Sequence, residues 1–238
     1  MKDSIEKLIV SSCNNNVSFQ DLGRKSQQNV GFSVGGAADE HAYCLANALV
    51  ANQIGETALE ITMGNCSFAA LDDCEIAITG ADCNVHVDQS PISHNQIFHL
   101  QKGQKLTFEQ PELGIHSYLS VQGGWYTKSW QESSSQVTRE LSFHLCAQKI
   151  KNETILSSGN GEPKSRTALL PLSPLEIMPM TETMAVRFIP SSRYVALPII
   201  EQLTIEKTCF TISPNSNRMG YRLLSEKKIA LKKDKLER

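Results

Sequence analysis

Between Ala58 and Val121 the sequence breaks into short runs at Ala58 to Thr62, Cys74 to Thr79, Asn84 to Val87, Ile97 to Leu100, Lys105 to Phe108 and Ser117 to Val121, separated by turn-forming residues. A parallel crossover needs a dozen or more residues between strands, and this spacing leaves no room for one. The segment therefore points to a closed barrel or sandwich rather than a parallel βαβ sheet. Gln101-Lys102-Gly103-Gln104 reads as a hairpin connection within it.

One helix precedes these strands. Asp39 is a good N-cap and Glu40 suits the first turn, while Ala42, Leu45, Ala46, Leu49 and Val50 recur at the spacing of a single buried stripe. The pattern predicts a helix from residue 39 that ends near Asn52 to Gly55. After Gly123 the signal weakens into a region rich in Ser, Gln and Lys that carries Trp125 and Trp130, expected to line the join between two β units. Strands are expected near Leu175 to Met178 and Met184 to Ile189, then a short helix at Pro198 to Leu203 and a strand over Lys207 to Ile212. The domain reading is a first β half over 1–122, a connecting region over 123–170 and a second β half over 171–238.

Charge narrows the function classes. A formal net charge of −2 offers no electrostatic footprint for nucleic acid. The basic excess from Ser225 to Arg238, six basic residues against three acidic, reads as a solvated face or fraying end. The start, Met1 to Lys7, lacks the apolar core of a signal peptide, and every apolar run is broken well before the length of a membrane span. The seven cysteines are odd in number and form no Cys-x-x-Cys pair, which fits reduced thiols in the cytoplasm. Cys44 and Cys209 are expected to sit buried as small hydrophobes on a helix and a strand.

Several polar constellations could carry chemistry. Gln20-Asp21-Leu22-Gly23-Arg24 precedes a loop with Gly31, Gly35 and Gly36 that leads into the Asp39-capped helix. Amides at a helix start attract anions and Arg24 adds a formal charge, whereas the plainer reading has the glycines making turns and Asp21 pairing with Arg24. Neither a P-loop nor a dinucleotide fingerprint is present. Glu60 and Asp82 sit toward the ends of apolar runs and could hold or deprotonate a substrate amide if they converge on one cleft. No His-Glu-x-x-His pattern or matching third ligand accompanies His94 and His99, so no metal is expected. Ser133-Ser134-Ser135 reads as a flexible polar loop. Near the C-terminus, Asn217, Arg218, Tyr221 and Arg222 follow the turn-forming Ser213 to Asn217. They make either a donor-rich surface for a carboxylate or phosphate, or the lock of a β-hairpin.

The ordered blocks QDLGR (20–24), GGAAD (35–39), LANALVAN (45–52), ALEITMG (58–64), ITGAD (78–82), SYLSVQGG (117–124) and SPNSNRMGYRL (213–223) together resemble one family. It is the carboxyltransferase-like family that includes the C component of bacterial 5-oxoprolinase, the KipI antagonist and proteins labelled allophanate hydrolase subunit 2. The resemblance implies a mainly β, cyclophilin-like β-barrel architecture with two barrel-type halves and few short helices. It further implies a hydrolase subunit, silent alone, that works in a complex using ATP to open the cyclic amide of 5-oxoproline to glutamate. Its implied partners are a KipI-type protein, the B component, and, in the oxoprolinase case, a TIM-barrel-like A component. Non-catalytic regulation in the manner of the KipI antagonist, or action on allophanate or other urea-derived amides, are the alternatives.

Carried over by position, Asp82, Glu60, Arg218 and Tyr221 are the expected catalytic group, and Asp21, Arg24, Asp39 and Asn217 the expected substrate-binding group. No Met-Lys-Met biotin attachment motif occurs, so any biotin is expected on another chain. The chain departs from the family pattern in the Ser-rich stretch Trp125 to Val137, at Pro190-Ser191-Ser192, and beyond Leu223. There the family's Gln-Thr-Thr-Gly-Gly-Tyr-Pro-like block is not found and an incomplete second half is expected.

Overall fold

The computed structural model describes residues 4–141, 149–159, 185–218 and 220–226. The chain divides into two compact units, Met1–Leu175 and Glu176–Arg238.

The first unit contains β1 (Ser4–Ser12), β2 (Val17–Gln20), α1 (Glu40–Leu49), β3 (Ala58–Thr62), β4 (Cys66–Ala70), β5 (Cys74–Asp82), β6 (Val85–Val87), β7 (Ser90–Pro91), β8 (Ile97–Leu100), β9 (Lys105–Phe108), β10 (Leu113–Val121), β11 (Trp125–Tyr126), α2 (Thr138–Leu141) and β12 (Ile155–Gly159). Seven strands form one sheet in the order β11-β12-β1-β4-β9-β6-β7, and five form the other in the order β2-β3-β10-β5-β8. The mainly β character with few short helices agrees with the sequence reading. Among the described residues each sheet keeps two open edges, and no strand pairing closes a barrel.

Alternation builds the core. Leu8 and Val10, Leu59 and Ile61, Ile76 and Ile78, Leu106 and Phe108, and Leu119 and Val121 are two residues apart on their strands, so each pair points to one face and joins the same buried cluster. Phe68 and Phe108 meet edge to face at 6.0 Å. Each such side chain removed from water contributes roughly 1.5–3 kcal/mol.

The opposite face of the five-stranded sheet receives α1. Ala42 and Ala46, one turn apart, let the helix lie close, and with Tyr43 they pack on Ala58 and Tyr118. Asp39 caps the helix by accepting from Ala42 N at 3.0 Å. The helix stops at Leu49, earlier than predicted, because Asn52 is engaged elsewhere: its side chain donates to Val121 O and Asn47 Oδ1 and accepts from Gly123 N.

Several expectations are corrected. Gln101 to Gln104 does turn, but β8 pairs with β5 and β9 pairs with β4 and β6, so the turn carries the chain from one sheet to the other. Turn chemistry does not specify whether the flanking strands pair. The stretch after Gly123 supplies β11 and β12 to the larger sheet, with β12 paired to β1. Strands β1, β2, β4 and β12 fall outside the predicted runs. β4 and β12, CSFAA and ILSSG, consist mostly of small residues with weak strand propensity, held by their neighbours.

The second unit contains α3 (Ser192–Val195), α4 (Ile199–Lys207) and a two-stranded pair, β13 (Thr211–Ile212) with β14 (Leu223–Leu224). The helix expected at Pro198 to Leu203 is α4, which runs on to Lys207, so only the last two residues of the strand expected over Lys207 to Ile212 form one. Residues 185–189 carry no strand, while Leu175 to Met178 and Met184 lie outside the described residues. Cys209 is exposed and Cys44 half-buried rather than buried. Among the described residues no helix is long and apolar enough to cross a membrane.

Candidate functional site

Strand register places Ser18 opposite Glu60, Glu60 opposite Tyr118 and Tyr118 opposite Thr79, a polar row across four strands beneath the start of α1. Glu60 is fully buried. Its Oε2 accepts from the Tyr118 hydroxyl at 2.9 Å and from Ala38 N at 2.9 Å. The same hydroxyl accepts from Asp39 N at 2.8 Å, which ties the helix start to the sheet. Burial, helped by the Glu60 charge, raises the Tyr118 phenol well above its ordinary pKa, so it stays a neutral donor.

One row along, His116 stands opposite Thr62, its Nδ1 3.1 Å from Thr62 Oγ1 and 3.7 Å from Glu60 Oε1. Gly80 lets β5 run close to the backbone of β10 at this point. At φ +90° it has no Cβ, and one added there would lie 2.4 Å from His116 O.

A second cluster joins residues more than 90 positions apart in the chain. Asp21 accepts from Gly23 N, Ser133 Oγ, and both N and Oγ of Ser134. Ser135 Oγ donates to Gln20 Oε1 and accepts from Gly36 N. Arg24 is fully buried and donates to Glu140 at 2.9 Å, to Ser135 O at 2.8 Å and to Trp130 O at 3.2 Å. Its guanidinium also lies over the Trp130 ring at 5.0 Å. Glu140 Oε1 accepts from Ser33 N. The triple serine is thus not a flexible loop: all three are buried and bonded. Nor does Asp21 pair with Arg24 in this network, since the carboxylate bound to Arg24 is that of Glu140. Chemically this cluster fixes the loop that leads into α1.

Asp82 ends β5 as an exposed carboxylate, 3.9 Å from His94 Nε2. A bulge in β10 leaves it opposite Leu113, and it lies three residues along β5 from Thr79, which sets it roughly 10 Å from the Glu60 row. Both ring nitrogens of His94 are shielded from solvent without a hydrogen-bond partner.

Asn217, Arg218 and Tyr221 lie together on the hairpin of the second unit and all three are exposed. The hairpin is held by Ser213 N to Arg222 O at 2.7 Å, Arg222 N to Ser216 Oγ at 2.9 Å and the bridge between Asn217 and Gly220. Within the first unit the expected positions form separate groups, Glu60 with Asp39, Asp21 with Arg24 in the serine cluster, and Asp82 with His94, while the hairpin trio belongs to the second unit. Sequence reasoning missed Tyr118, His116 and Glu140 as site members. Tyr118 lies within the SYLSVQGG block. A buried acid implies buried donors on the adjoining strand, which is the signal that could have found it.

The carboxyltransferase domain family, subdomains A and B, matches residues 30–237. The C subunit of 5-oxoprolinase from Escherichia coli (strain K12) is 30% identical over 204 residues, covering 86% of this chain and 64% of that protein. The Haemophilus influenzae protein of the same name is 28% identical over the same extent. Urea amidolyase of Saccharomyces cerevisiae is 26% identical over 88% of this chain and 12% of its own length. The chain thus spans about two thirds of the length of the two 5-oxoprolinase relatives. The crystal structure of the K. lactis urea amidolyase superposes with a TM-score of 0.74 at 21% identity, covering 94% of this chain and 14% of that one. By its own sequence and fold, the chain belongs to the carboxyltransferase domain family, subdomains A and B.

Proposed function

We propose that this chain acts as a carboxyltransferase-like subunit of an ATP-dependent 5-oxoprolinase, a hydrolase component that opens the cyclic amide of 5-oxoproline to glutamate in the cytoplasm together with a KipI-type B component and an A component. The observation that carries the reading is the 30% identity across 86% of the chain with a relative named as the C subunit of 5-oxoprolinase. ATP is used by the assembled complex. Asp82, Arg218 and Tyr221 remain the proposed catalytic positions, with Glu60 supporting the chemistry from its buried place beneath α1 and with Asn217 and Asp39 contacting substrate. Asp21 and Arg24, both bound into the serine cluster, serve the substrate by fixing the loop before α1. Two β halves joined across 123–170 are part of this reading. An amide derived from urea is the second substrate class, favoured by the urea amidolyase relative.

Co-expression with both partner components tests it. The complex should release glutamate from 5-oxoproline only with ATP, and the isolated chain should be silent. A fully assembled complex that ignores 5-oxoproline but cleaves urea-derived amides moves the assignment to the second class, and one that cleaves neither leaves the regulatory, KipI-antagonist alternative.

A further inference from the structure

We infer that His116 is a proton-transferring group of this site and that Glu60 is the residue that positions and charges it. The inference rests on the amide-hydrolase reading above and adds a residue that reading does not include. Glu60 is wholly removed from water, and its Oε2 accepts two hydrogen bonds, from Tyr118 and Ala38, which is how an ionised carboxylate is solvated inside a protein. A buried charge of this kind is retained when a counter-charge stands beside it. His116 Nδ1 is 3.7 Å from Glu60 Oε1, and the imidazole is 13% exposed where the acid is fully buried.

Among the described residues, Tyr118 and Asp39 face this pair and are otherwise engaged. From β10, Tyr118 is held as a neutral phenol. From the start of α1, the Asp39 carboxylate is engaged by Ala42 N. From β3, Thr62 contributes a hydroxyl at 3.1 Å, and β5 brings Thr79 and Gly80 at the facing register.

In the reaction, water oxygen bonds to the amide carbonyl carbon and the ring C–N bond breaks. The departing nitrogen takes a proton from the His116 imidazolium, and the imidazole recovers the proton that water releases, so protons balance over the cycle. Glu60 touches neither reactant and acts through His116.

The test combines titration with turnover. By NMR, Glu60→Gln should lower the His116 midpoint by about one pH unit or more relative to the unaltered chain. Gln keeps an oxygen to accept from Tyr118 and Ala38. In the assembled complex His116→Asn should lower kcat about 100-fold with little change in KM. Glu60→Gln should move the alkaline limb of the pH profile to lower pH. A His116 midpoint that Glu60→Gln leaves unchanged, or full turnover by His116→Asn, overturns the inference. An assembled complex without amide turnover overturns the functional reading instead, while the His116 midpoints of the unaltered and Glu60→Gln chains still decide whether Glu60 charges His116.

Discussion

The two units of this chain use similar residues to opposite effect. In the first, the large apolar side chains of seven strands and five strands meet in one buried cluster, and even the polar network of Asp21, Arg24, Ser133 to Ser135 and Glu140 is closed to solvent. Among the described residues of the second, Ser213 is the only buried one, and Val186, Ile189, Val195, Ile199 and Ile200 are each at least 65% exposed. An apolar side chain contributes to folding only when it leaves water, so the same Ile is a core member at position 61 and a solvent-facing residue at position 189. The difference teaches that the first unit has the rigidity needed to hold a buried acid in place, while the second presents its polar trio from a short hairpin.

This contrast can be broken by mutation, because both tryptophans, Trp125 and Trp130, report on the first unit. The largest effect is expected from Arg24→Met, which removes the buried partner of Glu140 and leaves it only Ser33 N and the half-exposed Arg139 at 3.8 Å. The tryptophan-detected denaturant transition should lose about 3–5 kcal/mol, and the double variant Arg24→Met with Glu140→Met should recover most of it. A loss below about 1 kcal/mol in the single variant would mean that the clasp does not set this unit apart. Phe68→Ala removes an aromatic ring packed on Phe108 and should cost about 3–5 kcal/mol by the same measurement.

Asp39→Ala removes the helix cap and should cost about 1 kcal/mol, with Asp39→Asn close to neutral. Burial lowers the His94 midpoint, and Asp82 only partly opposes this. The unfolded chain therefore binds the proton first, and stability is complete above pH ~6.5 but is lost as pH falls from there toward the folded midpoint. His94→Gln should flatten that acid-side loss in a series of melts. The smallest effect belongs to the second unit: Ile189→Ala, 95% exposed, should leave the tryptophan transition unchanged within about 0.5 kcal/mol. A larger shift would show that the exposed residues of that unit support the first.

Much of this was legible because it is local. The Asp39 cap, the stripe of α1 and the strands at Ala58 to Thr62, Ile97 to Leu100 and Lys105 to Phe108 follow from period and capping chemistry between neighbours in the chain. The Ser133 to Ser135 segment is misleading because a run of serines looks solvent-bound until Asp21, more than a hundred residues earlier, is brought against it. Likewise, Glu60 and Asp82 look equivalent as acids near strand ends, yet one is buried in a row with Tyr118 and Thr79 and the other is exposed three residues beyond Thr79 at the end of β5.

The sequence by itself determined the β-rich class, the capped helix and, through seven ordered blocks, the family to which the chain belongs. Those features depend on alternation, spacing and the order of short motifs, all written along one dimension. Only the tertiary structure decided that Arg24 is bound to Glu140 inside the protein, that the turn at Gln101 to Gln104 joins two sheets, and that His116 rather than Asp82 stands beside Glu60. These pairings are set by register and burial between distant strands, where the cost of an unpartnered buried charge selects the partner and no local pattern records it.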